Sequence, residues 1–203
     1  MGGNRVRAIV VVGASAGGVE ALSALFWDLP SNIPIPFFVA LHVSPHGQSY
    51  LPAILERTGR LPARHPFDGE RFKPGKIYVA PPGVHLLVDE GIVRLRHDPK
   101  PQHPLPAIDS LFRSAAQNYG HHVVGVLLSG LLHDGVAGLK EIKRRGGLAI
   151  VQDPAEAKFQ DLPRSALAAV KVDACLPVAK IRDLVTGLPN LPGCQRKEPP
   201  PHP

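Results

Sequence analysis

A serine flanked by glycines follows the first apolar run of the chain. Ile9-Val10-Val11-Val12 passes directly into Gly13-Ala14-Ser15-Ala16-Gly17-Gly18. An unbroken run of β-branched residues is typical of a strand buried on both faces of a parallel sheet. Gly13 to Gly17 also fits G-x-S-x-G, the strand-to-helix turn that exposes a serine hydroxyl beside the start of the next helix. Ser15 is therefore a candidate nucleophile, although a phosphate-binding loop or a plain βα turn has the same short pattern.

A histidine follows the second apolar run. Phe37 to Leu41 has the composition of a short buried strand and delivers His42 at its carboxyl end. The carboxyl ends of parallel strands meet at one edge of the sheet, where open α/β sheets bind their ligands. A single histidine at a strand end is usually structural, but a neutral imidazole beside a serine can accept the hydroxyl proton. Next to Ser15, we expect His42 to be a general base.

An aspartate follows the third apolar run, which extends from His122 to Leu128. Asp134 comes shortly after it and would fix the histidine tautomer and stabilise the imidazolium, so that Ser15, His42 and Asp134 form a Ser-His-Asp triad. Two alternatives stay open at this point. Asp134 is also in position to be the N-cap of a helix that begins at Val136, and His133 is a rival base.

The composition fits one cytoplasmic α/β domain. The chain has 203 residues, of which 44% are hydrophobic and 20% charged, as expected of a single globular domain. Cys175 and Cys194 are too few for a disulfide framework, which indicates a reducing compartment. We expect no signal peptide and no membrane insertion, because the first strand follows the N-terminus closely and no run is long enough to span. The net charge of +6 includes one compact cluster, 140–145, which we interpret as a solvated helix face and not as a nucleic-acid site.

The predicted elements alternate in the order of a doubly wound, mainly parallel sheet. Apolar runs predict parallel strands, helical spacing predicts helices, and turn residues separate three shorter runs that predict an antiparallel hairpin insertion. The predicted parallel strands are 9–12, 37–41, 122–128, 148–151 and 172–176, the helices 19–29, 49–58, 106–119, 136–145, one opening at 163–165 and 177–188, and the antiparallel runs 76–80, 84–88 and 92–95. Residues 96–106 predict a loop. The sequence thus predicts one domain over 1–188 and a disordered, proline-rich tail over 189–203.

Several motifs in a fixed order resemble one known family. They are Gly13–Gly18, His42, Tyr78-Val79-Ala80-Pro81-Pro82-Gly83-Val84-His85, Ile108-Asp109-Ser110-Leu111-Phe112, Ser129-Gly130 through Asp134-Gly135, and Gln152-Asp153-Pro154 with Pro163-Arg164-Ser165. Together they resemble the catalytic domain of the chemotaxis protein-glutamate methylesterase (CheB) family, over about residues 8–188.

The resemblance implies a function as well as a fold. It implies hydrolysis of glutamate γ-methyl esters on the cytoplasmic helices of chemoreceptors, often with deamidation of particular glutamines. The implied reaction needs no cofactor or metal. It assigns Ser15 as nucleophile, His42 as base and Asp134 as the acid that orients the base. Backbone N–H groups at Ala16, Gly17 and Leu131 are the expected oxyanion and substrate contacts.

The chain departs from the family pattern in three respects, of which Ala16 and the missing receiver domain keep a second hypothesis open. Ala16 stands where many members have a hydroxyl residue, Leu131-Leu132-His133 replaces a loop richer in glycine and methionine, and no receiver domain is expected before the first strand. The missing receiver would leave regulation to a separate protein. The alternative is a non-catalytic binding module that retains the methylesterase fold. A metalloenzyme using the ten histidines is disfavoured, because Pro45 separates His42 from His46 and no H-x-x-x-H lies on a plausible helix.

Overall fold

The computed structural model describes residues 8–44, 47–97 and 106–188. The predicted tail, most of the predicted loop 96–106 and His46 lie outside these ranges. The strands are β1 (Ile9–Ala14), β2 (Phe37–Leu41), β3 (Ala63–Arg64), β4 (Ile77–Val79), β5 (His85–Asp89), β6 (Ile92–Arg96), β7 (Val123–Leu127), β8 (Leu148–Gln152) and β9 (Ala174–Leu176). The helices are α1 (Gly18–Phe26), α2 (Leu51–Thr58), α3 (Ile108–Tyr119), α4 (Val136–Arg144), α5 (Asp161–Ala169) and α6 (Val178–Gly187), with a short 3-10 turn at Gly120–His122.

Seven strands form one parallel sheet in the order β3-β4-β2-β1-β7-β8-β9. Strand β1 lies in the middle, where Val12 pairs with Val39 of β2 on one side and with Val126 of β7 on the other. All six residues of β1 are buried, as expected of a strand covered on both faces. The fold is therefore the predicted doubly wound α/β sheet, and the order along the chain reverses at β1.

Helices cover both faces of the sheet, and alternate residues of β1 face different cores. Val10 and Val12 pack in one core with the buried residues of α1, α2 and α6. Ile9 and Val11 pack in the other core with those of α3, α4 and α5. Within the described ranges, no helix has the length and apolarity needed to cross a membrane.

The prediction of three antiparallel strands was wrong for the first of them. Strand β4 joins the main sheet and pairs in parallel with β2 and β3. All three of its residues are buried, which suits an interior parallel strand. Only β5 and β6 form the antiparallel hairpin, and β5 shows the alternating burial of a strand with one covered face. The two-residue strand β3 was not predicted.

Polar contacts fix the hairpin to helix α3. The N–H of Val88 donates to Ser114 Oγ at 3.0 Å, and the amide of Asn118 donates to the carbonyl of Val88 at 2.9 Å. At the hairpin turn, the N–H of Gly91 donates to the hydroxyl of Tyr119 at 2.9 Å. The hairpin and α3 therefore form one unit beside the parallel sheet.

Candidate active site

Three neighbouring strands bring Ser15, His42 and Asp134 to the same edge of the sheet. Ser15 directly follows β1, His42 directly follows β2, and Asp134 lies in the loop after β7. Because β1 lies between β2 and β7, the serine lies between the strands that carry the other two residues. This is the edge at which open α/β sheets bind ligands.

The three side chains form one hydrogen-bonded chain. Ser15 Oγ lies 3.1 Å from His42 Nδ1, and His42 Nε2 lies 2.6 Å from Asp134 Oδ2. A carboxylate only accepts, so Nε2 carries the ring proton and Nδ1 presents its lone pair to the serine hydroxyl. The ring nitrogens thus have the opposite assignment to that in the best-known serine protease triad. His42 and Asp134 are only 16% and 19% exposed, which strengthens their electrostatic interaction.

Asp134 does not cap its own helix, so the N-cap alternative was wrong in that form. The residue at the N-cap of α4 is Gly135, which has a φ of 101°. The Asp134 carboxylate accepts instead from the start of α3, where Ile108 N lies 2.7 Å from Oδ2 and Asp109 N lies 3.1 Å from Oδ1. The position of the carboxylate is therefore set by a helix that is distant in sequence.

The hydrogen bonds of Asp134 favour its ionised form. Burial is the largest single influence on this carboxyl and raises its pKa, but donation from His42 and from the N–H groups of Ile108 and Asp109 outweighs it. The net result is a pKa of Asp134 below its ordinary value. An ionised Asp134 can hold the Nε2–H tautomer of His42 and stabilise its protonated form.

The turn that carries Ser15 is held by Ser129, a residue for which the sequence suggested no role. The N–H of Ser15 donates to the carbonyl of Ser129 at 3.0 Å, and the Ser129 hydroxyl donates to the carbonyl of Ala16 at 2.9 Å. The same hydroxyl accepts from the N–H of Phe159 at 3.0 Å. Ser129 is 1% exposed. The available signal was a serine just after the apolar run that ends at Leu128, at the edge of the sheet that carries the site.

Two glycines allow the loops around Ser15 to approach each other. Gly17 has a φ of 70°, and a Cβ there would lie 2.8 Å from Ser129 Oγ. A Cβ at Gly130 would lie 2.9 Å from the Cβ of Ser15. A side chain at Gly17 would displace Ser129 and one at Gly130 would displace Ser15, so both glycines allow close packing.

The three residues predicted to contact the oxyanion lie in the two loops that meet at Ser15. Within the described ranges, the N–H groups of Ala16, Gly17 and Leu131 donate no hydrogen bond, whereas the neighbouring N–H of Gly130 donates to Phe159. Ala16 and Gly17 lie between Ser15 and the start of α1, where partial positive charge favours an anion. Leu131 follows Gly130, which packs on Ser15. The oxyanion role of these N–H groups stays a prediction.

Other candidate groups lie apart from this hydrogen-bonded chain. His133, the rival base, is exposed, whereas His42 contacts both Ser15 and Asp134. Among residues 8–44, 47–97 and 106–188, no group of three or more His, Cys, Asp or Glu residues is placed to hold a metal ion. The arrangement that remains can activate a hydroxyl nucleophile and bind an oxyanion.

Fold and site together define an α/β protein with a hydroxyl, an imidazole and a carboxylate aligned as in serine hydrolases. A family model described as CheB methylesterase matches residues 10–185, and the chain belongs to that family. The catalytic domain of the CheB methylesterase from Thermotoga maritima has a crystal structure that superposes with a TM-score of 0.84 at 32% identity, covering 89% of this chain and 98% of that one.

Curated relatives give the same result. A putative protein-glutamate methylesterase/protein-glutamine glutaminase from Leptospira interrogans is 36% identical over 176 residues, which cover 86% of this chain and 91% of the relative. A protein-glutamate methylesterase/protein-glutamine glutaminase from Anaeromyxobacter dehalogenans is 38% identical over 173 residues, or 85% of this chain and 51% of the relative. The chain therefore matches nearly all of one relative and about half of the other.

Proposed function

We propose that this protein hydrolyses L-glutamate 5-O-methyl esters in proteins to glutamate and methanol, with Ser15, His42 and Asp134 as a catalytic triad. The observation that carries the proposal is the unbroken chain of hydrogen bonds from Asp134 through His42 to Ser15, at 2.6 and 3.1 Å. Its membership of the CheB methylesterase family supports the ester as substrate.

The reaction proceeds in two halves through an acyl-enzyme. Ser15 Oγ attacks the γ-carbonyl carbon while His42 Nδ1 takes the hydroxyl proton, and Asp134 stabilises the imidazolium. The N–H groups of Ala16, Gly17 and Leu131 bind the oxyanion of the tetrahedral intermediate. His42 then protonates the departing methoxide. Methanol is released, and the glutamyl group stays attached to Ser15 as an ester. Water, deprotonated by His42, attacks that ester and releases the glutamate side chain and Ser15.

The same groups can act on glutamine. A primary amide differs from the methyl ester in its leaving group, so protonation by His42 would release ammonia and give the same acyl-enzyme. The relatives from Leptospira and Anaeromyxobacter carry both activities in their names. We include glutamine deamidation in the proposal, with methylated cytoplasmic helices of chemoreceptors as the protein substrates and the cytoplasm as the site of action.

Methanol release from methylated receptor membranes tests the proposal. Wild type should release methanol, and Ser15→Ala should lose several orders of magnitude in turnover while retaining the fold, as triad knockouts do. Ser31→Ala is the matched control, because Ser31 is an exposed serine in the loop between α1 and β2, and its activity should equal that of wild type.

Two outcomes would contradict the proposal. Binding of methylated receptors by wild type without methanol release would favour the non-catalytic binding module. A Ser15→Ala variant that retained more than about a tenth of the activity would exclude Ser15 as the nucleophile, because removing a triad serine costs far more than tenfold.

A further inference from the structure

The N-termini of helices α3 and α4 are each capped by an aspartate that lies in, or just before, the other helix. The N-cap residues, Ala107 for α3 and Gly135 for α4, make no side-chain cap. Asp134, just before α4, accepts instead from the first N–H groups of α3. In return, Asp109 in the first turn of α3 places Oδ1 2.5 Å from the N–H of Gly138 in α4. Each helix start is therefore satisfied by an acid from the other helix region.

Gly138 allows the two helices to lie close enough for this reciprocal capping. A Cβ at Gly138 would lie 2.5 Å from the Cβ of Phe112 and 3.1 Å from Oδ1 of Asp109. A helix with glycine in its interior is less stable than one with alanine there. The close approach of α3 and α4 therefore comes at the expense of helix propensity in α4. The contact between Asp109 and α4 therefore depends on the local sequence of both helices.

The charge of the triad acid Asp134 influences the pKa of Asp109. Burial and, to a smaller extent, the charge of Asp134 raise the pKa of Asp109, while the N–H groups of Gly138 and Gly135 and the charge of Arg113 lower it. Asp134 in turn accepts a hydrogen bond from His42. Among the described residues, the charged or titratable groups that interact with this pair are His42, Arg113 and, through the backbone of Ala107, His85.

We propose that Asp109 is a positioning residue for the Ser15-His42-Asp134 triad. It joins the start of α4 to the first turn of α3, and that turn supplies two of the three donors that fix the Asp134 carboxylate. The hairpin supports the same turn, because the N–H of Ala107 donates to His85 Nδ1 at 3.1 Å. Asp109 does not contact the reacting atoms and acts through Asp134. This inference rests on the catalytic role proposed for the triad.

Three variants separate positioning from stability. Asp109→Ala removes the acceptor for Gly138 and should lower kcat/KM by about 10- to 100-fold, since displacement of a catalytic group by about 1 Å has an effect of that size. Asp109→Asn keeps an acceptor oxygen and should recover most of that loss. Asp173→Ala is the matched control, because Asp173 also accepts a backbone N–H, that of Ala149 at 2.7 Å, but has no hydrogen bond to α3. It should lower Tm and leave kcat/KM unchanged.

An NMR spectrum of the His42 ring gives a readout that does not depend on ester turnover. The Nε2–H of His42 donates to Asp134 Oδ2, so its proton resonance should move in Asp109→Ala, where the Asp134 carboxylate is displaced, and should return towards its wild-type position in Asp109→Asn. The resonance in Asp173→Ala should stay where it is in wild type. If wild type fails to hydrolyse the ester but the resonance moves as expected, the proposed function fails and the link between Asp109 and the triad stands.

Two results would overturn the assignment of Asp109 as a positioning residue. A folded Asp109→Ala variant with kcat/KM within about twofold of wild type would make Asp109 a structural cap alone. An Asp109→Asn variant as impaired as Asp109→Ala would show that the hydrogen bond to Gly138 is not what matters. If Asp109→Ala does not fold, Asp109→Ser replaces it, because serine keeps a polar side chain at this position but its hydroxyl is too short to reach Gly138. The same loss in kcat/KM is expected.

Discussion

Replacing Asp134 by asparagine separates its catalytic role from its structural one. Both carboxylate oxygens are occupied, since Oδ2 accepts from His42 and Ile108 and Oδ1 accepts from Asp109. Asparagine offers one acceptor oxygen and a donor NH₂. Whichever way the amide turns, its NH₂ must face at least one backbone N–H of α3.

The structural cost follows from that conflict. One buried donor is left without an acceptor, which costs about 1–3 kcal/mol. For a domain of this size, each kcal/mol lowers Tm by about 2–4 °C. Asp134→Asn is therefore expected to be measurably less stable than wild type, unlike an Asp→Asn change at an ordinary N-cap, which is nearly neutral.

The catalytic cost should be much larger. If the amide NH₂ faces His42, it favours the tautomer that carries its proton on Nδ1, and that nitrogen can no longer accept the proton of Ser15. The same substitution in a well-studied serine protease lowers kcat by about ten-thousandfold, which corresponds to about 5.4 kcal/mol in the transition state. We expect a loss of that order in kcat/KM here.

Thermal melting and methanol release, measured on the same preparation, test this prediction. Asp173→Asn is the control, because the Asp173 carboxylate also accepts a hydrogen bond from a backbone N–H, that of Ala149, and forms an ion pair with Lys143. It should lose stability and keep its activity. A folded Asp134→Asn variant with activity within tenfold of wild type would refute the triad assignment and leave Asp134 as the cap of α3.

Titration, metal dependence and backbone strain supply four more tests. Because His42 must be neutral to accept the Ser15 proton, kcat/KM should fall when the solution is acidic enough to protonate the imidazole, and a rate that does not depend on pH would count against His42 as the base. EDTA should leave the rate unchanged, and a loss restored by zinc would revive the metalloenzyme hypothesis. Burial and the charge of Asp134 raise the pKa of Asp109 above its ordinary value of 3.8, so the stability contributed by its protonated form is complete below that ordinary value and lost as pH rises through the raised pKa of the folded state. Unfolding at pH 3 and pH 7 should therefore show Asp109→Asn gaining stability relative to wild type at the higher pH, and a constant difference would contradict this. Leu132 is 70% exposed and has a φ of 64°, so Leu132→Gly should raise the free energy of unfolding by up to about 1 kcal/mol, and a decrease would show that the side chain makes a stabilising contact.

The sequence was sufficient to predict which side chains meet at the sheet edge. A buried parallel strand is recognisable from its unbroken apolar run, and the residue after it must lie at the carboxyl edge. Ser15 and His42 each directly follow such a run, so their proximity depends only on the strands being neighbours. Their catalytic roles remain a proposal.

The partners of Asp134 and the pairing of β4 could not be predicted, because both depend on tertiary contacts. Helix capping rules relate an acid to the helix that follows it, whereas Asp134 accepts from α3, 25 and 26 residues earlier in sequence. Likewise, Ile77–Val79 is too short for its periodicity to distinguish a parallel strand from an antiparallel one. The role of Ser129 was missed for the same reason, since its hydroxyl bonds to residues 113 and 30 positions away.

The central place of β1 affects how the protein folds. Ser15 and His42 are 27 residues apart in sequence, and His42 and Asp134 are 92 apart. Pairing of β1 with β7 joins Ile9 to Val123, so it closes a loop of more than a hundred residues, and such long-range contacts form slowly. All four strands of the half-sheet β3-β4-β2-β1 lie within the first 79 residues, whereas the Asp134 carboxylate comes 55 residues after β4. During refolding, recovery of ester hydrolysis should therefore lag behind the recovery of secondary structure.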